Sequence, residues 1–249
     1  MTEANWVFGL HAVRTLLQRH ADKVGQLLLV RGREDARISE VMKLAREHQL
    51  KIEFRSSQEL DQLANGERHQ GVIVKLQKVE NLGEGALDEL LDQAGAAPFI
   101  LVLDGVTDPH NLGACLRTAD AAGVHAVIVP RDRAAGLSPV VRKVAAGAAE
   151  TVPLIQVVNL ARTLRWLKER GLWIVGTDDQ APTALHSAKL NGPLAVVMGA
   201  EGDGMRRLTK EHCDLLVNIP MLGVVESLNV SVATGVMLYE VVRQRAATG

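Results

Sequence analysis

The sequence lacks the features that mark several large classes of protein. Only 3% of its residues are aromatic, which argues against a sheet that stacks nucleic-acid bases on aromatic rings. The two cysteines form no CxxC pair, so we expect neither a disulfide framework nor a zinc ribbon, and a reducing cytoplasm suits them. No apolar run approaches the roughly 18 residues that cross a bilayer, and residues 1–10 do not resemble a signal peptide.

Charge is close to balanced over the whole chain, with a net value of −1, and this argues against a strongly basic nucleic-acid binder. The distribution along the chain is uneven. Residues 1–78 contain 13 Lys and Arg against 10 Asp and Glu, whereas residues 79–97 contain five acidic residues and no basic one. A mildly basic first segment is still compatible with contacts to phosphate groups.

The hydrophobic pattern divides the chain into three segments. Residues 1–78 alternate short helical and strand patterns, which predicts a compact αβ domain. The acidic residues 79–97 predict a flexible connector with one short helix at 86–93. Residues 98–249 contain continuous apolar runs separated by helical stretches, which predicts an α/β domain with a parallel sheet covered on both faces. The runs lie at 99–103, 126–129, 172–175, 194–198 and 215–219, and the helices at 112–122, 139–146, 160–170, 205–212 and 229–245.

Ligands of such sheets bind beyond the ends of the strands, and three polar or glycine-rich segments follow predicted strands. In the first, residues 104–123, we place Asn111 at a helix N-cap and Arg117 in the second turn. A guanidinium at that position could bind a phosphate or a substrate oxygen. The alternative is a capped helix whose arginine makes an ordinary salt bridge, and this segment alone favours that alternative.

The other two segments also have an ordinary structural interpretation when each is taken alone. Residues 198–207 contain three glycines in the order GxxGxG, so their backbone N–H groups could meet a ligand, but the GxGxxG of dinucleotide-binding folds is absent. Residues 219–235 bring Asn229 and Ser231 into an apolar helix, where they either cap the helix or hold a substrate. A strand–helix turn and a capped core helix are the alternatives.

Taken together, the three segments resemble the SpoU branch of the SPOUT RNA methyltransferases, also called the SpoU/TrmH type. The matching residues are Asn111 with Gly113 and Arg117, then Gly199-Ala-Glu-Gly202, Ile219-Pro-Met-Leu-Gly223 and Ser227-Leu-Asn-Val-Ser-Val-Ala233. In addition, Phe8-Gly-Leu-His-Ala-Val13 and His69-Gln-Gly-Val72 are similar to the family's substrate-binding domain. Three long motifs in one order make the resemblance specific, and it covers nearly the whole chain.

The resemblance implies a fold, a methyl donor and a substrate. A ribosomal-protein-L30-like domain would precede a SPOUT α/β domain whose C-terminal part forms a trefoil knot. Such a chain would methylate the 2′-hydroxyl of a guanosine in the peptidyl-transferase P loop of 23S rRNA, with S-adenosylmethionine as donor and without a metal. Its expected partner is 23S rRNA or a large-subunit precursor, without a membrane, and its expected assembly is a homodimer through the catalytic domain.

The same resemblance assigns roles to residues of the three segments. In-line methyl transfer requires tight positioning of the attacking oxygen. Arg117 would clamp a phosphate and stabilise the developing alkoxide, because a guanidinium is a poor base, and proton abstraction by Arg117 stays an alternative. Glu201 would fix the glycine-rich loop or pair with that arginine. The residues expected to orient the ribose or the guanidinium are Asn111, Ser227 and Asn229.

The resemblance also implies contacts to the methyl donor and to RNA. An adenine needs an apolar slot with backbone hydrogen-bonding groups rather than charged side chains. The residues expected to contact the donor are Met198, Gly199, Ala200, Ile219, Met221, Gly223 and Leu228. In the first domain, Arg31, Arg33 and Arg37 would track phosphates, although interleaved acidic residues leave an ordinary solvated surface as the alternative.

Two further functions stay open at this point. One is tRNA 2′-O-methylation by a member of the same family, against which the separate first domain argues by family analogy. The other is a non-catalytic RNA-binding assembly factor on a decayed enzyme scaffold. Decay is disfavoured because the motif residues Asn111, Arg117, Glu201, Ser227 and Asn229 are all present. A nicotinamide oxidoreductase is excluded by the lack of GxGxxG.

Overall fold

The computed structural model describes residues 6–19, 21–33, 35–66, 68–76, 83–202 and 204–248. The chain folds into two compact units, the first formed by residues 1–80 with 139–151 and the second by residues 81–138 with 152–249. Within the described residues, no helix is long and apolar enough to cross a membrane.

The described residues contain strands and helices in the following order. The strands are β1 Trp6–Phe8, β2 Val24–Val30, β3 Ile52–Arg55, β4 Val72–Leu76, β5 Phe99–Asp104, β6 Ala126–Pro130, β7 Leu154–Val157, β8 Trp173–Thr177, β9 Thr183–Ala184, β10 Leu194–Gly199 and β11 Leu215–Asn218. The helices are α1 Leu10–Arg19, α2 Ala36–Glu47, α3 Ser57–Ala64, α4 Ala86–Gln93, α5 Pro109–Ala121, α6 Pro139–Ala145, α7 Ala148–Thr151, α8 Leu160–Glu169, α9 Arg207–Glu211 and α10 Val230–Thr248.

The first unit is built on a four-stranded sheet with the strand order β1-β4-β2-β3. Strands β2 and β3 are parallel, and the other neighbouring pairs are antiparallel. Side chains alternate between the two faces along each strand. Leu27 and Leu29 of β2 therefore pack with α1 and α2, whereas Leu28 packs with Leu60 of α3 on the opposite face. Both faces of this small sheet are covered by helices.

Residues 139–151 belong to the first unit, to which they contribute α6 and α7. The buried Arg142 donates from Nη1 to Oε1 of Glu150 at 2.5 Å, and Lys23 Nζ lies 3.5 Å from the carbonyl oxygen of Glu150. Burial raises the pKa of the Glu150 carboxyl, and the adjacent Arg142 opposes that rise. This stretch was predicted to lie in the last segment. The predicted domain boundaries 1–78, 79–97 and 98–249 stay a prediction.

The second unit is built on seven parallel strands in the order β7-β6-β5-β10-β8-β11-β9. Strands β5 and β10 pair over six residues, and every residue of β5 is buried. Ile100 and Val102 of β5 pack with the apolar side chains of α4 and α8. Helices α5 and α10 pack against each other, and α10 also contacts β10. This arrangement confirms the predicted α/β class with a parallel sheet.

The connection between strands changes direction beside β5. From β5 the chain continues outward to β6 and β7, and it later builds β8, β10 and β11 on the other side of β5. In open parallel sheets a crevice forms at such a reversal, beyond the carboxyl ends of the strands. The segments that follow the neighbouring strands β5 and β10 therefore meet at the same edge of the sheet.

Helix α5 begins earlier than the sequence predicted. Its N-cap is Asp108, whose carboxylate accepts a hydrogen bond from the His110 amide at 2.9 Å. Pro109 is the first helical residue, a position where its fixed φ and missing N–H cost nothing. The expectation that Asn111 is the N-cap was therefore wrong. Asn111 lies in the first turn, and Arg117 lies in the third turn rather than the second.

Part of the predicted flexible connector is packed onto the second unit. Residues 86–93 form α4, as predicted, but Leu87 and Leu91 of this helix are buried in the core. Beside the helix, Arg162 donates from Nη2 to Oε2 of Glu84 at 2.6 Å. The acidic composition predicted a solvated linker, because acidic side chains favour contact with water. The two buried leucines nevertheless attach this helix to the core. The described residues 83–97 are thus a structural part of the second unit.

Several short elements were not predicted, namely β1, β7, β9, α3 and α7. Strands of two to four residues carry too little pattern to be recognised. Helix α3 did have a signal, since Ser56 and Glu59 form a capping box in which each side chain bonds the other's backbone. The trefoil knot stays a prediction.

Replacing Leu87 tests the packing of α4. We expect Leu87→Ala to lower the free energy of unfolding by about 2–5 kcal/mol, because it removes a fully buried side chain and leaves a cavity. Urea denaturation of the variant and the parent measures the difference. The control Glu89→Ala, at an exposed position of the same helix, should change it by less than about 0.5 kcal/mol. Equal effects of the two substitutions would contradict a packed α4.

Candidate active site

The three segments singled out in the sequence converge at the carboxyl edge of the parallel sheet. Asn111 lies in the first turn of α5 after β5, Glu201 follows β10, and Asn229 immediately precedes α10. These side chains are 28 to 118 residues apart in the chain, yet they form one hydrogen-bonded cluster. We call Asn111, Glu201 and Asn229 the polar cluster.

The Asn229 amide is the centre of the polar cluster. Its Oδ1 accepts hydrogen bonds from the amide and the hydroxyl of Ser231, at 3.0 and 2.6 Å. Its Nδ2 donates to Asn111 Oδ1 at 3.0 Å and to Glu201 Oε2 at 3.4 Å. Asn111 also donates from Nδ2 to the same Glu201 oxygen at 3.4 Å. Asn229 therefore caps α10 with its oxygen and joins the other two segments with its nitrogen.

The glycine-rich loop after β10 is a tight turn that leaves no room for a side chain at position 199. Ala200 and Gly204 exchange two backbone hydrogen bonds, at 3.1 and 3.0 Å. A Cβ atom on Gly199 would lie 2.3 Å from the carbonyl carbon of Gly204 and 2.3 Å from the amide nitrogen of Met205. Glycine is thus required at position 199, because any other residue would collide with the backbone of the returning loop.

A buried carboxylate fixes this loop to the end of β5. Asp104, the last residue of β5, is fully buried. It accepts hydrogen bonds from the backbone amide of Arg206 at 3.0 Å and from Arg206 Nε at 2.6 Å, and Nη2 of the same guanidinium lies 2.5 Å from it. This pair was not predicted from the sequence. An acidic residue that ends a fully apolar strand was the available signal, since a buried carboxylate requires a partner.

A cavity of about 360 Å³ opens beside the polar cluster, a size typical of ligand pockets. Its wall contains Glu201 and, at one end, an ion pair between Lys210 Nζ and Asp178 Oδ2 at 2.6 Å. The remaining wall combines the polar residues Asp179 and Glu226 with apolar side chains and residues of the glycine-rich loop. Six of the seven residues predicted to contact the methyl donor line this first cavity, as does Ser227: Met198, Gly199, Ala200, Ile219, Met221 and Leu228. Gly223 is not part of its lining.

A second cavity, of about 410 Å³, shares part of its wall with the first. Glu201 lines both cavities, as do Ala200, Gly204 and Val230. The rest of its wall comes from the end of β5, the start of α5 and the loop after β6: Asp104, Gly105, Val106, Thr107, Asp108, Asn111, Arg133 and Arg206. Of the polar cluster, Glu201 therefore lines both cavities, Asn111 lines only the second, and Asn229 lines neither.

Arg117 lies apart from the polar cluster. Its side chain is exposed on α5 and lines neither of the two cavities. Among the described residues it makes no hydrogen bond or ion pair, so Glu201 contacts the two asparagines rather than this arginine. One copy of the chain does not bring Arg117 together with the other four predicted catalytic residues.

The predicted RNA-contacting arginines lie at the surface of the first unit. Arg31, Arg33 and Arg37 are all exposed. Arg33 donates from Nη1 to the carbonyl oxygen of Gln70 at 2.7 Å and forms an ion pair with Asp35. Arg37 lines a shallow cavity of about 350 Å³ next to the start of α1. Arg31 and Arg37 therefore have more open donors than Arg33.

Among the described residues, neither a reactive cysteine nor a metal-binding cluster adds to this site. Burial raises the pKa of Cys115 to about 11 and that of Cys213 to about 12, so both stay protonated thiols near neutral pH and are poor nucleophiles. No group of three or more His, Cys, Asp or Glu side chains in the described part of the chain could hold a metal ion.

Two protein-family models match this chain. The model described as the SpoU rRNA Methylase family matches residues 98–239. A second model, described as RNA 2′-O ribose methyltransferase substrate binding, matches residues 6–82. The first match contains the polar cluster and both cavities, and the second contains the exposed arginines of the first unit.

Individual relatives are similar over nearly the whole chain. The chain is 54% identical to the 23S rRNA (guanosine-2′-O-)-methyltransferase RlmB of Pseudomonas syringae pv. tomato, over 99% of this chain and 98% of the relative. It is 55% identical to the protein of the same name from Photorhabdus laumondii subsp. laumondii, over 97% and 98%. The crystal structure of the SpoU methyltransferase AviRb from Streptomyces viridochromogenes in complex with AdoMet has a TM-score of 0.79 at 24% identity, covering 97% of this chain and 90% of that one. The last comparison concerns the fold alone.

Removing the Asp104 carboxylate tests the link between β5 and the glycine-rich loop. We expect Asp104→Ala to speed hydrogen exchange of the Arg206 amide and to cost about 1–3 kcal/mol of stability, because that amide and its guanidinium lose their acceptor. Exchange measured by mass spectrometry or NMR follows the loop directly. Arg207→Ala, which removes only an exposed pair with Glu211, is the matched control. Unchanged protection of the Arg206 amide in Asp104→Ala would contradict the assignment.

Proposed function

The chain belongs to the SpoU rRNA methylase family, and from this premise we propose that it transfers a methyl group from S-adenosylmethionine to the 2′-hydroxyl of a guanosine in 23S rRNA. The observation that carries the proposal is that Glu201, which accepts hydrogen bonds from Asn111 and Asn229, lines two cavities that share part of their walls. A group-transfer enzyme must hold a donor and an acceptor side by side, and this arrangement offers a place for each. The guanosine specificity follows the relatives' printed function at 54–55% identity.

The first cavity suits S-adenosylmethionine. When bound, S-adenosylmethionine supplies a methyl group that a positively charged sulfur has already activated. Ile219, Met221 and Leu228 contribute apolar side chains to the cavity wall, and residues of the glycine-rich loop contribute the other predicted donor contacts that line it. Gly199 lets the returning backbone at Gly204 and Met205 pack closely behind this part of the wall. We assign the donor contacts to Met198, Gly199, Ala200, Ile219, Met221 and Leu228, and we keep Gly223 as a predicted contact from the loop that leaves the cavity.

The polar cluster would orient the acceptor ribose. Glu201 lines both cavities, and one of its oxygens already accepts hydrogen bonds from Asn111 and Asn229. Its other oxygen accepts none from the described residues and is available to a hydroxyl group. Ser227, in the wall of the first cavity, adds a second hydroxyl-binding group. These side chains hold the 2′-oxygen in line for attack, which is worth several orders of magnitude in rate.

Arg117 would stabilise the charge that develops on the attacking oxygen. A guanidinium stays protonated, so it supplies fixed positive charge and two parallel donors to a phosphate or an alkoxide. Its exposed position on α5 lies outside the polar cluster of its own chain. A second copy of the chain that covers α5 would enclose this side chain in a combined site.

We therefore propose a homodimer through the second unit. Helix α10 is apolar on more than one face, and it exposes Val232 and Tyr239, seven residues apart and so on one side of the helix. The loop before α10 exposes three more apolar side chains, at Leu222, Val224 and Val225. An exposed apolar patch of this kind next to a functional helix is typical of an interface.

The first unit would contact RNA through Arg31, Arg33 and Arg37.

The direct test is methyl transfer from labelled S-adenosylmethionine to 23S rRNA taken from cells that lack this gene, followed by mapping of the 2′-O-methyl groups. We expect one modified guanosine, in the peptidyl-transferase P loop, and we expect the enzyme to act in the cytoplasm on the rRNA or on a large-subunit precursor. Transfer to tRNA alone would move the substrate while leaving the donor unchanged. Donor binding without transfer to rRNA, precursor or tRNA would support a non-catalytic role.

Replacing Arg117 tests its assigned role. We expect Arg117→Ala to lower kcat by about 10²–10³-fold, because a preorganised donor to the reacting oxygen is lost. Binding of S-adenosylmethionine, measured by calorimetry, should stay within about threefold, since Arg117 does not line the first cavity. Arg207→Ala removes another exposed arginine and should leave both quantities unchanged. Parental turnover in Arg117→Ala would refute the role.

Charges on the exposed face of α10 test the dimer. We expect the double variant Val232→Glu and Tyr239→Glu to sediment as a monomer in analytical ultracentrifugation, because buried carboxylates at an interface have no partners. The parent should sediment as a dimer. The control Leu208→Glu changes another exposed apolar side chain away from this face and should stay dimeric. A monomeric parent at micromolar concentration would contradict the proposal.

A further inference from the structure

We infer that the second cavity receives the base of the acceptor nucleotide, and that Arg133 and Asp108 recognise guanine there. This inference rests on the proposed methyl transfer to a guanosine and names the residues that select the base. Asp108 lies in the first of the three segments but has no predicted role there, and Arg133 lies outside all three.

The place of the cavity follows from the polar cluster. Glu201 and the backbone of Ala200 and Gly204 line both cavities. A ribose held at Glu201, with the methyl donor in the first cavity, leaves the second cavity as the enclosed space next to the sugar. Its volume of about 410 Å³ is in the range of pockets that hold small ligands. Enzymes that take a nucleotide out of the stack read its base in a pocket by hydrogen bonds to its edge and by stacking.

Arg133 supplies the free cation in this cavity. Two arginines line the wall, but Asp104 already binds the Arg206 guanidinium and neutralises its charge. Arg133 makes no hydrogen bond or ion pair with any residue that the structure describes. Its donors are therefore available to a ligand, whereas those of Arg206 are largely used.

The backbone holds Arg133 at the cavity in an unusual conformation. Its φ is +60°, in the left-handed region that residues with a Cβ rarely adopt. Two residues further on, the amide of Ala135 donates to the carbonyl oxygen of Val106 at 2.9 Å, which joins this loop to the segment after β5. Backbone strain of this kind is concentrated at ligand-binding and active sites. The strained backbone of Arg133 thus lies in the wall of the second cavity.

Asp108 supplies a fixed acceptor in the same wall. One carboxylate oxygen caps α5 by accepting the His110 amide at 2.9 Å, which sets the orientation of the side chain. The second oxygen accepts no hydrogen bond among the described residues, and Asp108 lines the cavity. The cavity therefore presents an open carboxylate oxygen and an open guanidinium.

Guanine is the base that matches this pair. Arginine bonds the O6 and N7 acceptors of guanine with two parallel hydrogen bonds, and a carboxylate accepts hydrogen bonds from amino groups of bases. Guanine carries its N1–H and 2-amino donors on the edge next to O6. Adenine has an amino group at the position of O6, which would point N–H towards the guanidinium. Pyrimidines lack the N7 acceptor. A pocket with these two groups thus selects guanine.

The competing role for Arg133 is contact with the RNA backbone. A phosphate accepts hydrogen bonds from lysine as well as from arginine, because it needs charge more than a planar pair of donors. A guanine edge needs the planar fork. Arg133→Lys therefore separates the two roles, and Arg133→Gln removes charge and fork together while keeping the same backbone demand at position 133.

The experiment measures kcat/KM for methyl transfer to 23S rRNA in which the target guanosine is replaced by 7-deazaguanosine or by inosine. Inosine lacks the 2-amino group, and 7-deazaguanosine lacks N7. For the parent enzyme we expect each replacement to lower kcat/KM by about 10- to 100-fold. Arg133→Gln and Arg133→Lys should both show such a loss on guanosine and no further loss on 7-deazaguanosine. Asp108→Asn, which still caps α5, should show no further loss on inosine.

The controls keep the inference separate from the proposed function. Arg131→Gln changes an exposed arginine of the same loop that does not line the cavity, and it should resemble the parent on every substrate. A parent that methylates guanosine rRNA but is indifferent to 7-deazaguanosine and inosine would overturn the inference alone. So would full activity of Arg133→Lys, which would assign Arg133 to a phosphate. A parent that transfers no methyl group to rRNA would overturn the proposed function and the inference with it.

Discussion

The geometry of the candidate active site depends on the side-chain amide of Asn229. An amide has one acceptor oxygen and one donor nitrogen, and here each has a separate duty. The oxygen caps α10 through Ser231, so the nitrogen must point towards Asn111 and Glu201. Rotating the amide would lose the cap and both contacts together. The position of α10, set by its packing on α5 and β10, therefore determines where the other two polar groups meet.

This double use explains what the sequence could and could not predict about the site. Capping a helix and holding a substrate were the alternatives for Asn229. Its amide oxygen caps α10, its amide nitrogen contacts Asn111 and Glu201, and a contact with substrate stays a prediction. The strands β5, β6, β8, β10 and β11 were predictable because each is a continuous apolar run bounded by turns. The start of α5 was not, because Asp108 and Asn111 are both good capping residues, and only the position of Pro109 at the first helical residue decides between them.

Contacts between distant segments were beyond prediction for a different reason. Asp104 and Arg206 are 102 residues apart, and each has an ordinary local interpretation, as a strand end and as a helix start. Their pairing requires that β5 and β10 be neighbours, which follows from the sheet order and not from any local pattern. The same holds for Arg133. Nothing in its immediate sequence distinguishes it from Arg131, and its special place comes from a left-handed backbone beside the segment after β5.

The balance of charge limits how such a chain can bind a polyanion. Affinity from phosphate contacts grows with the number of cationic side chains that displace counterions. Because the net charge is −1, the chain has no excess of cationic side chains for such contacts. Several arginines are also engaged in ion pairs, as Arg206 is with Asp104. Among the described residues, guanidinium groups without a hydrogen-bond or ion-pair partner include those of Arg31 and Arg37 on the first unit and of Arg117 and Arg133 on the second. These groups are available to an anionic ligand. Contacts to phosphates position an RNA, and contacts to base edges select it, so the first unit is suited to holding the substrate and the second to choosing the nucleotide.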